Sequence, residues 1–127
     1  MPQDDPIEAR LADAARLLQS DPVRAQAQVR EMLAAHPQHP FARLLMGATH
    51  NRLGDELNAL SVLQPLLESH PRFAEAHYEA GVALGKAGRY DEAVDALQTA
   101  TGLKPELAQA WRVLAELHAR HGNPRVA

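Results

Sequence analysis

The chain has 127 residues, with 24 Ala and 18 Leu but one Ile and 7 Val, and only 4% are aromatic. Ala and Leu favour helix, and the scarcity of β-branched and aromatic residues argues against a sheet protein. Thirteen basic against 16 acidic residues leave a net charge of −3, which excludes a sequence-independent grip on nucleic acid through a basic surface. Cysteine is absent, which excludes disulfides, thiolate metal sites and cysteine nucleophiles.

In chain order, Asp5-Pro6 opens a first helix and Asp21-Pro22 a second, because Pro suits the first helical position behind a capping acid. The second stops near Pro37. A third helix is predicted from about Pro40 to Leu53, with Gly54 supplying the left-handed residue that ends it. Asp55-Glu56 then caps a fourth, which stops near Pro71. Pro65 lies inside that fourth helix, removes a hydrogen bond to Ser61 and predicts a kink. The fifth helix runs from Ala74 to Ala87 and ends at Gly88; the sixth starts with Asp91-Glu92 and stops near Pro105. A seventh covers 108–121, after which Gly122 and Asn123-Pro124 begin an eighth that halts at Ala127. No apolar run approaches the ~20 residues of a membrane span, and Met1-Pro2-Gln3-Asp4-Asp5-Pro6 lacks the apolar segment of a secretory signal. A cytoplasmic protein with no membrane contact is expected.

These elements recur every 34 residues. Sliding by that period superposes Pro37, Pro71 and Pro105; Ala25, Ala59, Ala93 and Ala127; Gly54, Gly88 and Gly122; and Val29, Leu63 and Leu97. Ala34-Ala35-His36-Pro37 falls on Glu68-Ser69-His70-Pro71. The units are about 6–39, 40–73, 74–107 and an incomplete 108–127, forming one array. Gly47, Gly81 and Ala115 on the first helices should meet Ala59 and Ala93 on the second, letting the backbones approach closely. Asp13 breaks that column in the first unit. Leu63, Leu66, Leu97, Met46 and Leu114 should fill the space between neighbouring pairs.

The third unit carries His77, Ala80-Gly81, Leu84, Gly88, Tyr90, Ala93, Leu97, Ala100 and Pro105, and in this it resembles the tetratricopeptide repeat family. His77 stands where Trp is common, and Trp111 restores it in the fourth unit. The resemblance spans residues 6–127. It implies an all-α right-handed superhelix of antiparallel helix pairs whose first helices line a concave groove, and a non-catalytic scaffold that holds a peptide or neighbouring domain there. A second resemblance rests on Ala59-Leu60-Ser61-Val62-Leu63-Gln64-Pro65-Leu66, on Ala76-His77-Tyr78-Glu79, and on Leu103-Lys104-Pro105 with Ala110-Trp111-Arg112-Val113-Leu114-Ala115. These segments are similar to the amino-terminal repeats of bacterial sulfotransferases. That likeness implies an accessory or oligomerisation region of a larger enzyme and carries over no catalytic residue.

Under the family resemblance, the groove takes Phe41, Leu44, Ala48, Asn51 and Arg52 from the second unit. The third supplies Glu75, Tyr78, Val82 and Lys86, and the fourth Gln109, Arg112, Glu116 and Arg120; Arg10 and Ala14 extend the row. Shape and apolar contacts would hold the partner, with Arg52, Lys86, Arg112 and Arg120 tuning affinity. The Lys/Asn/Asn/Lys/Arg set with which related domains clamp chaperone carboxyl termini is absent. At the chain's end, Trp111, Leu114, Ala115 and His118 should face a missing capping helix. Two explanations follow: the chain is a fragment of something longer, or this face self-associates.

Other chemistry finds little support. His36-Pro37-Gln38-His39 and His118-Ala119-Arg120-His121 have ligand-like spacing, but His36 and His70 share an exposed helix end, and no carboxylate converges on either pair. The glycines sit at helix crossings and ends, not in a phosphate loop, and the paired acids read as caps. No catalytic residue, cofactor or metal is expected.

Overall fold

The structure, a computed structural model, describes residues 6–121. Seven helices occupy those residues: α1 (Ile7–Ser20), α2 (Pro22–Ala35), α3 (Pro40–Arg52), α4 (Glu56–Ser69), α5 (Ala74–Lys86), α6 (Tyr90–Leu103) and α7 (Ala108–His121). No strand interrupts them among the described residues. The expectations placed on Asp5, Gly122, Asn123, Pro124 and Ala127 lie outside that span.

The helix ends follow the local chemistry. The Asp21 carboxylate accepts the Arg24 backbone N–H at 3.2 Å, and Pro22 occupies the first position of α2. At α3 the cap is His39, whose Nδ1 accepts the Ala42 N–H at 3.3 Å ahead of Pro40. Gly54 and Gly88 take φ of 76° and 82°. Each closes its helix by the same pair of bonds: Gly54 N–H to Asn51 O with Asp55 N–H to His50 O, and Gly88 N–H to Gly85 O with Arg89 N–H to Leu84 O. Asp55 departs from its expected role. It makes no cap bond, and its carboxylate instead accepts Asn58 Nδ2 at 2.7 Å and lies 3.6 Å from His50 Nδ1.

α4 continues through Pro65 to Ser69. Pro65 and Ser61 are both exposed, so water can reach the Ser61 carbonyl that proline leaves without a helical donor.

Packing is between neighbours. α1 packs on α2, α3 on α4 and α5 on α6; each pair meets the next through α2–α3, α4–α5 and α6–α7. The first helices also touch in series, α1 with α3, α3 with α5 and α5 with α7, while α2, α4 and α6 do not touch one another. One layer is therefore close and the other splayed, which curves the array with α1, α3, α5 and α7 on the inside. This is the all-α solenoid of helix pairs.

The core is divided accordingly. Leu11, Leu18, Val29, Met32 and Leu45 form one buried cluster; Leu44, Leu63, Leu66, Ala76 and Leu84 a second; Tyr78, Leu97, Leu107 and Leu114 a third. The small-residue column works in part as expected, with leucines as the nearest neighbours of its glycines. A Cβ on Gly47 would lie 2.6 Å from Leu63 Cγ, and one on Gly81 would lie 2.7 Å from Leu97 Cγ and 3.3 Å from the Ala93 carbonyl. The glycines thus admit leucines within a pair, with the Ala93 backbone also meeting Gly81. The same leucines reach the next pair, as expected: Leu63 clusters with Ala76 and Leu84 of α5, and Leu97 with Leu107 and Leu114. Ala115 and Asp13, in the same column, are exposed.

Candidate functional site: the inner face between α5 and α7

α5 and α7 touch only sparingly, and the wedge between them opens a groove of about 370 Å³. Tyr78, Val82, Val113 and Leu117 form its apolar lining, and Gly81 and Gly85, one turn apart on α5, leave bare backbone there. Arg52 at the end of α3, Lys86 at the end of α5, and Glu116 and Arg120 on α7 stand around it. Tyr90 and His121 close one end with stacked rings, centroids 3.5 Å apart and planes 27° from parallel.

Six residues assigned to the groove from sequence meet there: Arg52, Tyr78, Val82, Lys86, Glu116 and Arg120. Arg112 is exposed and lies near enough to Tyr78 to act on its phenol electrostatically, though it does not line the groove. Gln109 is exposed as well.

The others fall elsewhere. Phe41, 38% exposed, lines a separate depression with Leu11, Ala12 and Ala15 between α1 and α3, so the expected single groove is two. Leu44 is 5% exposed and belongs to the core cluster with Leu63 and Leu84. Ala14 and Ala48 are likewise buried. Glu75 is held in an ion pair with Lys104, and Arg10 lies 3.6 Å from Glu31.

Asn51 is the largest correction. It is fully buried, and its Nδ2 donates at 2.9 Å to both the backbone oxygen and Oε1 of Glu79. It joins repeats and does not line the groove. Lys86 Nζ donates at 2.6 Å to the Asn51 carbonyl, placing a cation at the negative end of α3. Burial pushes the Glu79 carboxyl up from its ordinary range; Asn51, Arg52 and Lys86 oppose the rise. Burial also raises the Tyr78 phenol, with Glu79 adding to the effect.

Sequence reasoning missed Glu79 and the Tyr90–His121 stack. An acidic residue in an apolar column was a signal for the first; the stack joins residues 31 positions apart and had none.

The terminal face is split. Trp111 is 50% exposed, but its indole Nε1 donates to the Pro105 carbonyl at 2.7 Å. His77 Nε2, one repeat earlier, sits 2.8 Å from the Pro71 carbonyl in the same way. Leu114, expected on the open face, is buried with Leu97 and Leu107, because that side of α7 packs on α6. His118 is half-buried. Among the described residues no group of three His, Asp or Glu side chains is gathered to hold a metal ion, and no helix is long and apolar enough to cross a membrane.

Comparison with known proteins decides the family. The tetratricopeptide repeat family matches residues 52–106 and again 78–127. The chain belongs to the tetratricopeptide repeat family. Three solved tetratricopeptide-type structures are similar in fold. MamA 41-end from Desulfovibrio magneticus RS-1 is 24% identical with a TM-score of 0.76, covering 94% of this chain and 68% of that one. The first such domain of the human RPAP3 protein is 16% identical with a TM-score of 0.76, covering 87% of each. A Thermobaculum terrenum O-GlcNAc transferase is 24% identical with a TM-score of 0.81; 88% of this chain aligns, spanning 22% of that one. No curated protein matches the sequence. Tetratricopeptide arrays serve protein interaction, and the repeats themselves are not catalytic.

Proposed function

We propose that this tetratricopeptide repeat chain is a non-catalytic scaffold that holds an extended segment of a partner protein in the groove between α5 and α7. The observation that carries this is the coincidence, on the inner layer, of an open apolar floor with bare glycine backbone and exposed cations from three successive first helices. Bare backbone lets a ligand chain approach closely, and apolar side chains supply affinity when covered. Likeness to a transferase at 24% identity concerns the fold alone, so it lends no support to an accessory role in an enzyme.

Val82→Gln tests the reading, because Val82 lines the groove and is only half-buried. A peptide selected against the full chain from a random library should lose about tenfold in affinity with the variant, while helicity by circular dichroism stays unchanged. Unchanged affinity moves the binding surface off this groove.

A further inference from the structure

We infer that the α5–α7 groove takes an acidic linear segment of a partner protein, one that seats an apolar side chain between Val82 and Val113 and sets its carboxylates against Arg52 and Arg120. The inference deepens the scaffold reading above and rests on it.

Volume restricts the occupant first. About 370 Å³ is near the lower end of ligand-sized pockets (~300–1,000 Å³), suited to a side chain and its flanking backbone. Gly81 and Gly85 present backbone on one wall, the places their side chains would take being filled by Leu97 of α6, 2.7 Å from a Cβ on Gly81, and by Leu117 of α7, 3.4 Å from a Cβ on Gly85. An extended chain passing over this wall meets backbone, with one apolar recess beneath it.

Charge then selects the partner. The whole chain carries −3, yet Arg52, Lys86 and Arg120 surround the groove against the single exposed carboxylate of Glu116. Among the described residues neither Arg52 nor Arg120 has a carboxylate within ion-pair distance. Arg89 and Lys104, which flank α6, do have such partners, in Glu92 and Glu75. The ammonium of Lys86 is bound to a carbonyl, which directs its charge without neutralising it. Glu79, packed beneath, is the other acid near these cations, and its burial favours the neutral carboxyl. The local field is therefore positive in an acidic protein, and a segment bearing Asp or Glu beside an apolar residue complements it.

Fluorescein-labelled decapeptides with a central Phe or Leu test this, made in three sets: flanked by Asp and Glu, by Asn and Gln, or by Lys and Arg. Anisotropy with the full chain should show tightest binding by the acidic set, weakening with added salt. The double variant Arg52→Gln with Arg120→Gln should lower acidic-peptide affinity about tenfold and leave the Asn/Gln set unchanged. Equal binding of all three sets, abolished by Val82→Gln, would overturn the acidic preference while the groove reading stands. Acidic peptides that bind but ignore Val82→Gln would overturn both. Absence of binding by every acidic peptide, or equal competition by a single-stranded oligonucleotide, would overturn the acidic-segment inference.

Discussion

Asn51 of α3 and Glu79 of α5 are joined by two hydrogen bonds from one amide nitrogen, each 2.9 Å long, in a fully enclosed site between successive repeats. Lys86 reaches back to the same asparagine through its carbonyl. The inner layer is thus tied across repeats by a polar network in an otherwise apolar contact, directly under the cationic side of the groove.

That network makes stability depend on pH. Burial lifts the folded-state pKa of Glu79 above its ordinary 4.5, so in the interval between the two values the folded chain binds more proton than the unfolded chain. The contribution is fully present below 4.5 and declines as pH rises through the raised value. Glu79→Gln removes the dependence. Its amide can also donate to Asn51 Oδ1, which is buried without a partner among the described residues. A gain of about 1 kcal/mol is expected at neutral pH, shrinking in acid, where the protonated wild type supplies a donor itself. Urea denaturation at both pH values checks this; an equal gain at both, or a loss at neutral pH, contradicts it.

The glycines of the two layers should respond in opposite directions. Gly81→Ala drives a methyl to 2.7 Å from Leu97 Cγ, and Leu97 is fully buried with no room to withdraw. A loss of about 1–3 kcal/mol is expected. Gly102 in α6 has nothing within 4 Å of a Cβ, so Gly102→Ala should gain about 0.4–1 kcal/mol by reducing the freedom of the unfolded chain. Thermal unfolding of both variants reads the signs directly.

Pro65 is exposed in the interior of α4. An interior proline costs about 3 kcal/mol, and replacing it returns about 1 kcal/mol of entropy to the unfolded chain, so Pro65→Ala should stabilise by about 2 kcal/mol. A chemical denaturation midpoint that fails to rise would show that Pro65 does not cost α4 the stability of an interior proline.

Trp111 is the single tryptophan and reports on α7 alone. Within the described residues α7 is held by α6 and a slight contact with α5, whereas α3 and α5 are packed on both sides. Its fluorescence should therefore change at lower urea than the far-ultraviolet dichroism of the whole array. Trp111→Phe should cost about 0.5–1.5 kcal/mol through loss of the bond to Pro105, measured by dichroism. Coincident fluorescence and dichroism transitions would show that the array unfolds as one unit.

The 34-residue period, the glycine and proline punctuation and the Ala–Leu composition were enough, read along the chain, to place all seven helices to within a residue or two and to assign the solenoid of helix pairs. Those features are local: a left-handed glycine such as Gly54 or a proline such as Pro22 acts on its own backbone wherever the rest of the chain lies. Arg52, Tyr78, Val82, Lys86, Glu116 and Arg120 were also found in this way, because residues in one repeat column share one face of the inner layer. Tertiary structure alone decided the remainder. A column says which side of a helix a residue occupies, not how closely the next helix lies, and α3 lies close enough to α5 to bury Asn51 and Leu44, whereas α7 leaves α5 partly bare. That unequal spacing reverses the expected role of Asn51, isolates Phe41 at the other end and opens the groove where it does.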